Sequence, residues 1–140
     1  MPDPIPAEAA RPFRVLVTGS RRWDDEGVIH LALSELLFQH KTIVLVHGDC
    51  SRGADRIADQ WAAFRNAGEW TPVLVERHPA DWNGPAGRGA GYARNAEMIA
   101  LGADLVLAFI VDASRGASHA ADLAEKAGIP VRRYERSSRA

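Results

Sequence analysis

Apolar residues along this chain fall into two alternating rhythms. Short β-branched or leucine-rich runs occupy residues 13–18, 42–46, 73–76, 105–110 and 129–131, and these read as strands. Between them the spacing becomes helical. Ile29, Leu33, Leu36 and Leu37 follow the acidic start Asp24-Asp25-Glu26, where a helix macrodipole favours negative charge. Ala54, Ile57, Ala58, Trp61 and Ala62 share one face of a second helix opened by Ser51 or Gly53. Two more helices are expected over 92–100 and 119–127, the latter closed by Gly128. The longest irregular stretch runs from His78 to about Gly91 and holds Pro79, Pro85 and several glycines.

Unbroken apolar strands alternating with helices indicate a parallel sheet buried on both faces. The expectation is an α/β domain, a Rossmann-like doubly wound sheet of about five mostly parallel strands with helices on both faces. The run 105–110 is the most apolar and is placed centrally. One domain over 13–133 is expected, with a flexible leader over 1–12 and a polar tail over 134–140. Ligands in such sheets bind beyond the carboxyl ends of the strands, and the loops there are rich in Gly, Ser, Arg and Asn.

Composition narrows the partners. Seventeen basic and 18 acidic side chains give a formal net charge of -1, which disfavours nucleic acid or an anionic membrane as the partner. Cys50 is the single cysteine, so an intramolecular disulfide and a Cys-rich zinc site are both excluded. A reducing, cytoplasmic location is the simple expectation. No apolar run approaches the roughly 20 residues that span a bilayer, and the first residues lack the pattern of a secretion signal. The five histidines show no metal-ligand spacing, so no metal and no cofactor is expected.

Four loops carry the candidate chemistry. After the first strand, Gly19 permits close backbone approach, Ser20 offers a hydroxyl and Arg21 a phosphate partner. Trp23 is expected to pack on the sheet rather than stack on a base. After the second strand, Gly48 and Gly53 flank four residues and can form a nest of backbone N–H groups. Ala54 and Asp55 replace the Lys and Ser/Thr of a Walker A loop. Asp55 is a candidate for a ribose hydroxyl or for orienting Arg52, and otherwise a plain first-turn acid. His47 is either an acid/base group or a hydrogen-bonded strand-end histidine.

In the third loop Gly91, Arg94 and Asn95 offer a glycine, a cation and an amide near a helix start, and Asp81 is the best candidate for a general base. In the fourth, Gly116 and Ser118 bring a glycine and a hydroxyl to another helix. There is no G-x-G-x-x-G after the first strand, no G-x-S-x-G elbow and no H-E-x-x-H helix.

Gly19-Ser20-Arg21, His47-Gly48 with Gly53-Ala54-Asp55, Ala80-Asp81-Trp82, and Ala90-Gly91 with Arg94-Asn95 and Met98 together resemble the YspA, cpYpsA-related branch of the SLOG superfamily, over roughly residues 13–131. The resemblance implies a Rossmann-like fold related to the lysine-decarboxylase-like LOG enzymes and to DprA. It implies binding of a nucleotide or nucleotide-derived ligand, with Gly19, Ser20, Arg21, Gly48, Gly53, Asp55, Arg94, Asn95 and Gly116 as contacts. Relatives that form dimers or higher assemblies imply a homo-oligomer. Some relatives cleave nucleoside monophosphates, and others sense nucleotide signals in bacterial and phage conflict systems.

One departure matters. The LOG phosphoribohydrolases carry P-G-G-x-G-T-x-x-E, whereas Ala117 stands here at the Thr and Ala120 at the catalytic Glu. Arg94 fits the family's phosphate-seat arginine, with Met98 four residues later. Two functions follow. The first is a sensor or sequestering module for a nucleotide derivative. The alternative is a small hydrolase of N-glycosidic or phosphate bonds, for which Asp81, Asp55 and His47 are the available groups.

Overall fold

The computed structural model describes residues 11–68, 70 and 72–138, so nearly all of the expected leader lies outside the described residues. Five strands form one sheet: β1 (Phe13–Gly19), β2 (Ile43–His47), β3 (Leu74–Arg77), β4 (Leu105–Val111) and β5 (Val131–Arg136). Four helices connect them: α1 (Glu26–His40), α2 (Ala54–Asn66), α3 (Ala90–Leu101) and α4 (Arg115–Lys126). The strand order is β3-β2-β1-β4-β5 and every pairing is parallel. The α/β doubly wound, Rossmann-like expectation holds.

Side-chain alternation along β4 divides the core. Leu105, Leu107 and Phe109 join Ile29, Leu33, Ile57 and Trp61 of α1 and α2 on one face. On the other face, Val106 packs with Met98 and Ile99 of α3, and Ala108 and Ile110 pack with Ala117 and Ala121 of α4. All of β4 is buried, as a strand covered on both faces requires, and it lies between β1 and β5. Trp23 is buried edge-on against Phe109, with ring centroids 5.3 Å apart, and its indole N–H donates to the Asp25 carbonyl at 2.9 Å. It is a core residue, as the sequence suggested.

The edges differ from expectation. β5 begins at Val131, where the sequence reading ended it, and runs into the segment read as a polar tail. Its charged residues are tolerated because an edge strand has one neighbour and a wet margin. Tyr134 secures it by stacking on Phe109 at 4.7 Å. α3 and α4 start at Ala90 and Arg115, earlier than the expected Tyr92 and His119. Gly91 and Gly116 therefore sit inside first helical turns. No described helix is long and apolar enough to cross a membrane.

Candidate functional site

The order β2-β1-β4 places a topological switch between β1 and β4, where the connecting chains leave in opposite directions. A cleft of about 410 Å3 opens there, lined from all four loops beyond the strand ends. Three helix N-termini reach it. Asp55 comes from the first turn of α2, Gly91 and Tyr92 from α3, and Gly116 and Ala117 from α4.

None of these three helices carries a side-chain N-cap hydrogen bond. α1, whose helical residues do not line the cleft, is capped in the usual way by Asp25 accepting from the Val28 N–H at 3.3 Å. α4 shows why the others differ. Ser114 occupies its N-cap, a position suited to serine, but its hydroxyl is 2.5 Å from that of Ser20 instead. The Ala54 N–H at the start of α2 donates to the Ser20 carbonyl at 3.3 Å, and the Ala90 N–H at the start of α3 donates to the Gly87 carbonyl; the helix dipoles still place partial positive charge at the cleft.

Arginines add to that field. Arg21, Arg22, Arg88 and Arg94 line the cleft, against one carboxylate, Asp55. Arg22 is paired with Asp112 at 2.6 Å. Among the described residues Arg21, Arg88 and Arg94 form no ion pair. The Arg21 guanidinium lies 5.9 Å from the ring centroid of Trp82, a half-exposed indole at the rim.

Loop-to-loop contacts brace the walls. The Ser20 hydroxyl accepts from the Val111 N–H at 2.8 Å besides meeting Ser114, so it ties the β1 loop to the β4 loop. The same hydroxyl was the expected ligand contact, and Ser20 lines the cleft. Gly53 has φ +80°, and a Cβ there would lie 2.2 Å from the Ser20 carbonyl oxygen. It supports the β1 loop from beneath and does not line the cleft.

Arg94 Nη1 donates to the Gly48 carbonyl at 2.6 Å and Nε to the Asn95 Oδ1 at 2.9 Å. A Cβ on Gly48 would sit 2.2 Å from Arg94 Nη1, so glycine is needed for that seat. Buried Asn95 passes the link onward, donating to the Gly116 carbonyl at 3.2 Å. Because α3 starts early, Arg94 and Asn95 sit past its first turn rather than at its N-terminus, and both brace as well as line.

The expected ligand-binding residues Gly19, Ser20, Arg21, Gly48, Asp55, Gly91, Arg94, Asn95 and Gly116 all line this cleft; Gly53 and Ser118 do not. Of the three catalytic candidates only Asp55 does. Asp81 is exposed in the Pro-rich turn, where its carbonyl accepts from the Gly84 N–H at 3.0 Å. His47 is buried below, its Nε2 2.7 Å from Asp59 and its Nδ1 accepting from the Asp49 N–H at 2.9 Å. Both ring nitrogens are spent on structure.

His47, Asp49 and Asp59 bring potential metal ligands within 4.8 Å of one another. Arg77 already supplies Asp59 with a cation at 2.7 Å. Met98, read as core, is buried and also touches the cleft floor. Sequence reasoning did not single out Arg88, Tyr92 or Cys50. Arg88 had a signal, a cation between two glycines in a long loop.

Asp55 is 5% exposed, and burial, its largest influence, pushes its pKa up. Its hydrogen-bond partners are the Cys50 N–H at 3.3 Å and the Cys50 thiol. Burial and Asp55 together push that thiol's pKa up as well, which keeps it protonated and a poor nucleophile. Ala120 is wholly buried in α4.

The model of the YspA, cpYpsA-related SLOG family matches residues 13–84. The chain is 47% identical over 120 residues to the Gene 61 protein of Mycobacterium phage D29, an alignment covering 84% of this chain and 93% of that protein. No solved structure matches.

Proposed function

The chain belongs to the YspA, cpYpsA-related SLOG family, and from that membership and the cleft together we propose that it binds a nucleotide or nucleotide-derived ligand as a sensor or sequestering module. The observation that carries this reading is the set of three helix N-termini, none with a side-chain cap, around one cleft whose arginines Arg21, Arg88 and Arg94 form no ion pair among the described residues. Each N-terminus favours an anion, and a phosphate or diphosphate supplies enough acceptor oxygens for several at once. Trp82, half exposed at the rim, suits a flat base. A cleft of about 410 Å3 is within the size range of small-ligand sites.

Binding is favoured over hydrolysis by where the acids lie. Glycosidic or phosphate cleavage needs paired acid and base groups near the scissile bond. Asp81 and His47 lie off the cleft, leaving Asp55 as its only carboxylate among the described residues.

Calorimetry and thermal shift against AMP, ADP, ADP-ribose and cyclic nucleotides test the proposal. Saturable binding that stabilises the fold is expected. Arg21→Ala is expected to weaken it about tenfold or more, the worth of one charge-assisted hydrogen bond. Absence of stabilisation by every ligand in the panel would refute it, and release of free base or ribose phosphate would move the assignment to the hydrolase.

A further inference from the structure

Asp55 is difficult to explain as a structural residue. It is 5% exposed, it has no ion pair among the described residues, and its hydrogen bonds come from a 3.3 Å backbone N–H and a thiol, a weak donor. A carboxylate offers about four acceptor sites, and a buried one left so poorly served costs stability. Such groups in clefts are commonly completed by a ligand.

The remaining cleft chemistry limits what that ligand group can be. Arg21, Arg88 and the open N–H groups of α4 supply donors to an anion. The Asp55 carboxyl oxygens are acceptors and need donors in return, which an anion's oxygens do not offer. The moiety it faces is therefore neutral, rich in hydroxyl or amine hydrogens, and attached to the phosphate.

From this juxtaposition we infer that Asp55 grips the vicinal 2′- and 3′-hydroxyls of a ribose, making the cleft selective for ribonucleotides over deoxyribonucleotides. This rests on the nucleotide-binding reading above. Two hydroxyls held on adjacent carbons can donate together to one carboxylate. Dinucleotide-binding α/β folds use an acidic residue on the ribose 2′-hydroxyl in the same way. The sugar is also the part of a nucleotide joined directly to the phosphate, whereas the base projects away toward a surface such as Trp82 at the rim.

Discrimination should be large because the site, not the ligand, carries the loss. A deoxy ligand leaves a buried carboxylate without its donor, which costs about tenfold to a hundredfold in affinity. The test is calorimetry on the full chain with ADP, 2′-deoxy-ADP, 3′-deoxy-ADP and the purine riboside diphosphate that lacks the 6-amino group.

The wild-type protein is expected to bind ADP and the des-amino compound alike, and either deoxy compound about tenfold more weakly or worse. Asp55→Asn should bind ADP and the deoxy compounds with nearly equal affinity, a change of ratio that a merely structural role would not produce. If that variant does not fold, the wild-type series still decides. Equal binding of ADP and both deoxy compounds overturns the inference while leaving nucleotide binding intact. Loss with the des-amino compound alone overturns it too, by placing the base against Asp55. No binding by any of the four defeats the inference through its premise, which the broader ligand panel judges separately.

Discussion

Glu76 links the edge strand to the centre of the sheet, and Glu76→Gln measures that link. Arg14 of β1 reaches past β2 to donate to both Glu76 oxygens, at 3.0 and 2.9 Å, and His78 Nε2 lies 2.8 Å from the second. The Arg14 guanidinium, first, and then His78 hold the Glu76 carboxyl down from 4.5 to about 2. At about 1.4 kcal/mol for each pH unit the full depression would be worth about 3.5 kcal/mol.

A third of the Glu76 side chain is exposed, 34% by area, and solvent screens such pairs. Roughly half that figure, about 1.5 kcal/mol, is the expected loss for Glu76→Gln at neutral pH, or about 5 °C in Tm. A depressed carboxyl contributes its stability above its ordinary value and loses it as the pH falls toward the lowered one. The gap between wild type and variant should therefore be constant from pH 7 to above 4.5 and shrink toward pH 2. Urea melts at stepped pH give the gap directly. A gap of equal size at pH 7 and pH 3, or none at pH 7, would refute the reasoning.

Two further substitutions separate architecture from binding. Gly53→Ala forces a side chain into φ +80° and against the Ser20 carbonyl; denaturant melts should show a loss of about 3 kcal/mol or more. Gly116→Ala meets nothing within 4 Å and replaces a helical glycine, so stability should rise by about 0.5–1 kcal/mol while nucleotide affinity in calorimetry falls. Asp55→Asn should raise Tm at pH 7. The folded pKa of Asp55 is above its ordinary 3.8, so burying this carboxyl opposes folding at neutral pH, and that penalty disappears as the pH falls through the raised value to the ordinary one. The advantage of the variant should fade along the same path; an unchanged or lower Tm at pH 7 would contradict it.

What could be read from the chain followed burial. β1, β2 and β4 announce themselves as apolar runs because both their faces are covered. β5 does not: Arg132, Arg133 and Glu135 hide an edge strand whose inward contacts come from Val131 and Tyr134. Gly91 and Gly116 looked like loop residues, yet both lie within helices, and the early start of α3 at Ala90 sets Arg94 and Asn95 deeper into it.

Loop chemistry was legible as to place and not as to direction. Asp81 and Asp55 are both acids beside glycines at a strand's end, but Asp55 falls in the first turn of α2, and the packing of that helix turns it inward. Ser20 and Ser114 each offered a hydroxyl, and nothing in their spacing of 94 residues says that they meet each other.

The mutual bracing of the loops also bears on how this site could change its preferences. Ser20, Gly53, Arg94 and Asn95 each hold a neighbouring connector in place, so altering one disturbs several walls together. Trp82 and Arg88 stand at the mouth and form no hydrogen bond to a neighbouring loop among the described residues; Trp82 meets the Arg21 guanidinium and lies against Gly91. New specificities should accordingly arise by exchange at the entrance, over an inherited base that tolerates little variation.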